Sequence, residues 1–179
     1  MKKIKKIFIS ILIIGFVSNI QSQNNFSNRK IDNLKNQVEQ LVEEDKKMTQ
    51  VMIDKVFSFG ELGFQEFETS KYMGAILEEN GFDVEYKISD IPTSWLATWS
   101  NGEGGPVIAL GSDFDGVPST SQYPGVAYEK PVVEGAPGHG EGHNIGLPII
   151  VTSALSLKKI MIENNINGTL LIWPGVAEE

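Results

Sequence analysis

The run Val107-Ile108-Ala109-Leu110 limits the fold more than any other stretch. It sets four apolar residues in a row, after a turn at residues 101–105 and just ahead of Asp113-Phe114-Asp115. A strand of this composition has no face to give to water, so it is expected inside a sheet covered on both sides by helices. Residues 168–173 form a second apolar strand, and residues 82–88 and 94–99 alternate or carry enough aromatic and β-branched content to be two more. Between them lie three helical patterns. The apolar residues Ile31, Leu34, Val38, Leu41, Val42, Met48, Val51, Met52 and Val56 recur every three or four positions and predict one long amphipathic helix over residues 28–57. Residues 66–80 predict a second, with Gly81 as its left-handed end, and residues 144–164 a third, with Pro148 in its first turns. Mixed helices and buried strands give an α/β class with no internal repeat. The length suits one domain.

The chain has no cysteine, so a metal could be held only by imidazole and carboxylate. Four lysines in the first six residues, a nearly continuous apolar stretch at residues 7–20 and the polar Gln21-Ser22-Gln23 read as an export signal over residues 1–22. Its apolar part is shorter than the roughly 20 residues of a bilayer span, so no stable membrane span is expected after cleavage, and the location expected is periplasmic or secreted. The whole chain has a net charge of -8; without residues 1–22 it keeps 11 basic residues against 23 acidic ones, a net of -12. No basic patch is left, which argues against nucleic acid as a partner.

Both histidines of the chain fall in Pro137-Gly138-His139-Gly140-Glu141-Gly142-His143-Asn144, whose three glycines and proline disfavour a regular helix. The helical zinc motif is therefore rejected, and its carboxylate would in any case directly follow the first histidine. The glycines also fail the dinucleotide fingerprint. Glu141 and His143, two residues apart, can point at one ion from an irregular backbone. Asp113 and Asp115 stand at the exit of the apolar strand, where open sheets bind ligands, though the same residues would serve a solvated turn. Glu178 and Glu179 follow the last strand and can divide labour, one holding a metal and the other taking a proton from water. The stretch Gly60-Glu61-Leu62-Gly63-Phe64-Gln65-Glu66 is too polar for core, and physics alone assigns it no role.

Taken jointly, Glu61-Leu62-Gly63-Phe64-Gln65-Glu66-Phe67-Glu68-Thr69-Ser70, Ser112-Asp113-Phe114-Asp115-Gly116-Val117-Pro118, Gly138–Asn144 and Ala177-Glu178-Glu179 resemble a family of metal-dependent amidohydrolases and peptidases. That family includes the aminoacylases and glutamate carboxypeptidases, and the likeness is greatest to the branch containing the aminobenzoyl-glutamate utilisation hydrolase. The resemblance implies the N-terminal part of a zinc-peptidase-like catalytic domain, a central mixed sheet flanked by helices. It implies one or two divalent ions, zinc or manganese, with Glu141, His143 and Glu179 as ligands. Asp113 stands where many members have a metal-binding histidine. Glu178 would be the general base and Asp115 the residue that orients a ligand. The reaction implied is hydrolysis of an amide in an N-acyl amino acid, an aminobenzoyl-glutamate-like compound or a short peptide.

Two departures shape the expectation. Close relatives often have cysteine where this chain has Glu141, and a carboxylate favours harder ions than a thiolate. Family members also have later histidine ligands and an inserted domain that aids dimerisation, which these residues lack. Residues 23–179 thus read as the N-terminal part of a longer hydrolase, inactive alone, with a homodimer expected for the full-length protein. A glycosyltransferase using Asp113 and Asp115 would leave Glu141, His143 and Glu178 without a role. A secreted module that binds metal or peptide without chemistry is the non-enzymatic alternative.

Overall fold

The computed structural model describes residues 27–179, and the expected export signal at residues 1–22 lies outside them. The helices are α1 (Asn28–Glu44), α2 (Lys46–Phe59), α3 (Phe67–Glu79) and α4 (His143–Glu163). The strands are β1 (Asp83–Tyr86), β2 (Trp95–Asn101), β3 (Val107–Asp113) and β4 (Gly168–Gly175). They form one mixed sheet in the order β1-β2-β4-β3. β2 is antiparallel to both β1 and β4, whereas β3 runs parallel to β4 with α4 as the crossover. The helices flank this sheet, as the α/β pattern predicts.

The core forms where α2, α3 and α4 meet the sheet. Met52, Val56, Met73, Leu77, Trp95, Leu147, Val151, Leu170 and Ile172 are all buried in one cluster. Each such aliphatic side chain contributes about 1.5–3 kcal/mol relative to exposure. α4 is long and apolar enough to cross a membrane by length and composition, but here it packs on β3, β4, α1 and α2. Pro148 is tolerated at its sixth position, near the start, where the missing amide costs one hydrogen bond.

Two expectations are corrected. The single helix over residues 28–57 is two helices, parted at Asp45, whose backbone leaves the helical region (φ -87°, ψ 3°). Five consecutive charged residues, Glu43 to Lys47, interrupt the apolar stripe there, so neither side of the break has a side chain to bury. The second correction concerns the apolar strand at residues 107–110. β3 is an edge strand among the described residues, with Val107 64% and Ile108 41% exposed. α1 stands off from it, leaving a groove of about 500 Å³ lined by Ile31, Leu34, Val38, Ile108, Leu157 and Leu170. The strand that is buried in alternation along its length is β4, paired on both edges.

Candidate metal centre

β3 and β4 end side by side, with Asp113 in register with Gly175, so the residues that follow each strand emerge at the same end of the sheet. After Asp115 the chain makes a long excursion and returns. Val117 and Gly138 close it with a pair of backbone hydrogen bonds of 2.9 and 3.1 Å, which bring residues 139–143 back beside Asp115. α4 then starts at His143 from Gly142, whose φ of +96° is a conformation that only glycine adopts without strain. The excursion is anchored beneath by the Gly116 amide, which donates to the Glu61 carbonyl at 2.7 Å.

Glu141, His143, Glu178 and Glu179 each offer a ligand atom, and these atoms lie within 4.8 Å of one another. His143 places its Nδ1 3.1 Å from the backbone carbonyl of Asp115. A carbonyl can only accept, so Nδ1 carries the proton, and in the neutral ring Nε2 has a free lone pair. That Nε2 lies 3.7 Å from Glu141 Oε2 and 3.9 Å from Glu178 Oε2. An ion placed between them would meet that lone pair and the carboxylate oxygens together. Lost hydration, then the carboxylates of Glu141 and Glu178, push the Glu179 carboxyl above its ordinary value. Three carboxylates and one imidazole with a free nitrogen are a donor set suited to a hard or borderline divalent ion.

Asp115 lies behind this group, fully buried. Its Oδ2 accepts from the Glu179 amide at 3.0 Å. Its Oδ1 is 3.3 Å from His143 Nδ1, in ion-pair range but without a hydrogen bond of its own. Asp113 is not brought to the group. It is still within the β3–β4 ladder, with its Oδ1 against Gly175, where a side chain would find no room. His139 is not among the four clustered residues; it lies near His143 and Asp115 and donates Nε2–H to the Val56 carbonyl at 3.1 Å beside the Phe57 ring.

The segment at residues 60–66, to which sequence reasoning gave no role, supports the site from below. Glu61 caps α3, its carboxylate accepting from the amides of Glu68 and Thr69 at 2.9 Å and from the Thr69 hydroxyl at 2.8 Å. Glu66 is completely buried and reaches Ala177, the residue before Glu178. Gly63 lies so close to this turn that a Cβ there would sit 2.8 Å from that of Ala177. The signal available in the sequence was two glutamates, Glu61 and Glu66, just ahead of a helix, but the partners of Glu66 are distant in the chain.

This mixed sheet with flanking helices is the fold of an M20 peptidase domain. A Bacillus subtilis protein described as a dinuclear metal-binding peptidase of the M20 family superposes with a TM-score of 0.59 at 27% identity, over 75% of this chain and 36% of that one. A crystal structure from methicillin-resistant Staphylococcus aureus shares the fold with a TM-score of 0.67 at 22% identity, over 80% of this chain and 35% of that one. In sequence, the chain is 30% identical over 142 residues to one of the subunits of the p-aminobenzoyl-glutamate hydrolase of Escherichia coli K12. That match takes in 79% of this chain and 29% of the relative, so the chain spans less than a third of the length of the protein it resembles. No family model matches the chain.

Proposed function

We propose that this chain is the N-terminal part of a metal-dependent hydrolase that cleaves an amide bond in an N-acyl amino acid, an aminobenzoyl-glutamate-like compound or a short peptide. The observation that carries this reading is the convergence of Glu141, His143, Glu178 and Glu179 within 4.8 Å, with the free nitrogen of His143 turned toward the acids. Glu141, His143 and Glu179 would hold the ion, zinc or manganese. When bound, it supplies Lewis acidity to polarise an amide carbonyl and to favour loss of a proton from water. Glu178, half exposed and adjacent to the ligands, is the base that takes the proton and returns it to the leaving amine. Asp115 orients His143 and holds the Glu179 amide.

The lysine-rich, then apolar, then polar order of residues 1–22 supports export to the periplasm or medium, and a homodimer is proposed for the whole protein. The 179-residue chain by itself is expected to bind metal weakly and to lack turnover. Metal-dependent hydrolysis of hippurate-like amides by this chain alone would overturn that expectation. In a protein extended to the length of its relatives, Glu178→Gln should lower turnover by about 10²–10⁴-fold and leave metal bound. Retained turnover would remove Glu178 from the role of base, and a module that merely binds would keep its ligand affinity with no turnover in either form.

A further inference from the structure

We infer that Glu66 is the positioning residue that sets the turn carrying Glu178 and Glu179. Its side chain is completely buried at the start of α3, yet both carboxylate oxygens are engaged. Oε2 accepts from the Thr93 hydroxyl at 2.8 Å, and Oε1 accepts from the Ala177 amide at 3.1 Å. One side chain therefore ties the start of α3, the approach to β2 and the exit of β4.

The exit needs such a tie. Ala177 adopts a left-handed backbone with φ of +55°, which a residue with a Cβ holds only where its surroundings impose it. Gly63 packs directly on Ala177 and closes off the space a relaxed turn would use. Two residues on, the Glu179 amide is held by Asp115. Alternate amides of the turn are thus fixed by two buried carboxylates, and the side chains of Glu178 and Glu179 are left to project into the cluster with His143.

The positioning stands on the geometry; its effect on metal rests on the reading of the cluster as a metal centre. The test follows two signals in the whole chain: hydrogen exchange at the Ala177 amide by NMR without metal, and Co²⁺ binding by visible absorption. Glu66→Met keeps the bulk but removes both acceptors. It should speed exchange at Ala177 by about tenfold or more and weaken Co²⁺ by about tenfold, with the amides of Leu170 and Ile172 in β4 unchanged. Glu66→Gln can turn its carbonyl to Ala177 and its amide nitrogen to the Thr93 hydroxyl, so it should restore both signals. If Glu66→Met does not fold, Glu66→Asp, which retracts the carboxylate by one methylene, is read the same way. Unchanged exchange at Ala177, or an equal rise at Leu170 and Ile172, overturns the inference, the latter by showing that Glu66 merely holds the fold. Exchange behaving as stated across the variants, with no Co²⁺ absorption either from the wild-type chain or from a protein extended to the length of its relatives, supports the positioning and removes the metal reading instead.

Discussion

His143 donates its Nδ1–H to the backbone carbonyl of Asp115 at 3.1 Å, and this bond decides which ring nitrogen faces Glu141 and Glu178. Because the acceptor is main chain, no substitution at Asp115 removes it. The Asp115 side chain does something separate: Oδ2 holds the Glu179 amide, and Oδ1 places a negative charge 3.3 Å from the imidazole.

Asp115→Ala should therefore weaken Zn²⁺ or Co²⁺ binding by about 10–100-fold, the usual effect of losing a group that orients a ligand. Asp115→Asn keeps an acceptor for the Glu179 amide and should fall between that variant and wild type. Titration calorimetry on the three proteins checks the order, and equal affinities would mean that the backbone contact alone orients His143.

Glu141 is exposed, with a carboxylate oxygen 3.7 Å from His143 Nε2. Glu141→Cys should shift preference from Mn²⁺ toward Zn²⁺ and Cd²⁺, since a soft sulfur ligand favours those ions. Competition titrations with paired metals measure the shift. An unchanged Mn²⁺ to Zn²⁺ ratio would show that position 141 does not touch the ion.

At Gly63 the constraint is steric. A methyl group would meet Ala177 at 2.8 Å, with backbone as well as side chain in the way. Gly63→Ala should cost about 1–3 kcal/mol of stability, as overpacked sites do. A fall in the urea midpoint without a change in slope is the expected result, and no change would mean that the segment at residues 60–66 shifts freely away from the turn.

The parts of this molecule legible in sequence are those where neighbours along the chain settle the outcome. α4 follows from its apolar density, the end of α3 from Gly81, and the gathering of Glu141 and His143 from their two-residue spacing. Their meeting with Glu178 and Glu179 follows only from joint resemblance, because periodicity carries no information about which strand ends lie side by side. The exposure of β3 escapes sequence reasoning for the same cause: composition shows that Val107 to Leu110 prefers burial, while its place at the sheet's edge depends on pairing. Glu66 lies beyond reach altogether, since its two partners are 27 and 111 residues away in the chain.

His139 gives the fold a dependence on pH. Burial holds its imidazole below the ordinary value, with the hydrogen bond to the Val56 carbonyl pulling the other way. The unfolded chain takes up a proton near about pH 6.5, whereas the folded one resists it until lower pH. The stability that His139 contributes is thus complete above that value and is lost as pH falls toward the lowered folded one. Relative to His139→Gln, wild type should lose stability as pH falls through about 6.5 and below, read from urea midpoints at each pH. A difference that stays constant across this range would mean that the imidazole titrates alike in both states.

The outer edge of β3 is a consequence of a different kind. Its backbone amides and carbonyls on that side are unpaired among the described residues, and Val107 and Ile108 lie open beside them. Such an edge is a template onto which another extended chain can add. Molecules with a net charge of -8 repel one another, and salt shortens the reach of that repulsion to about 8 Å under physiological conditions. Any pairing of copies through this edge would therefore strengthen as ionic strength rises.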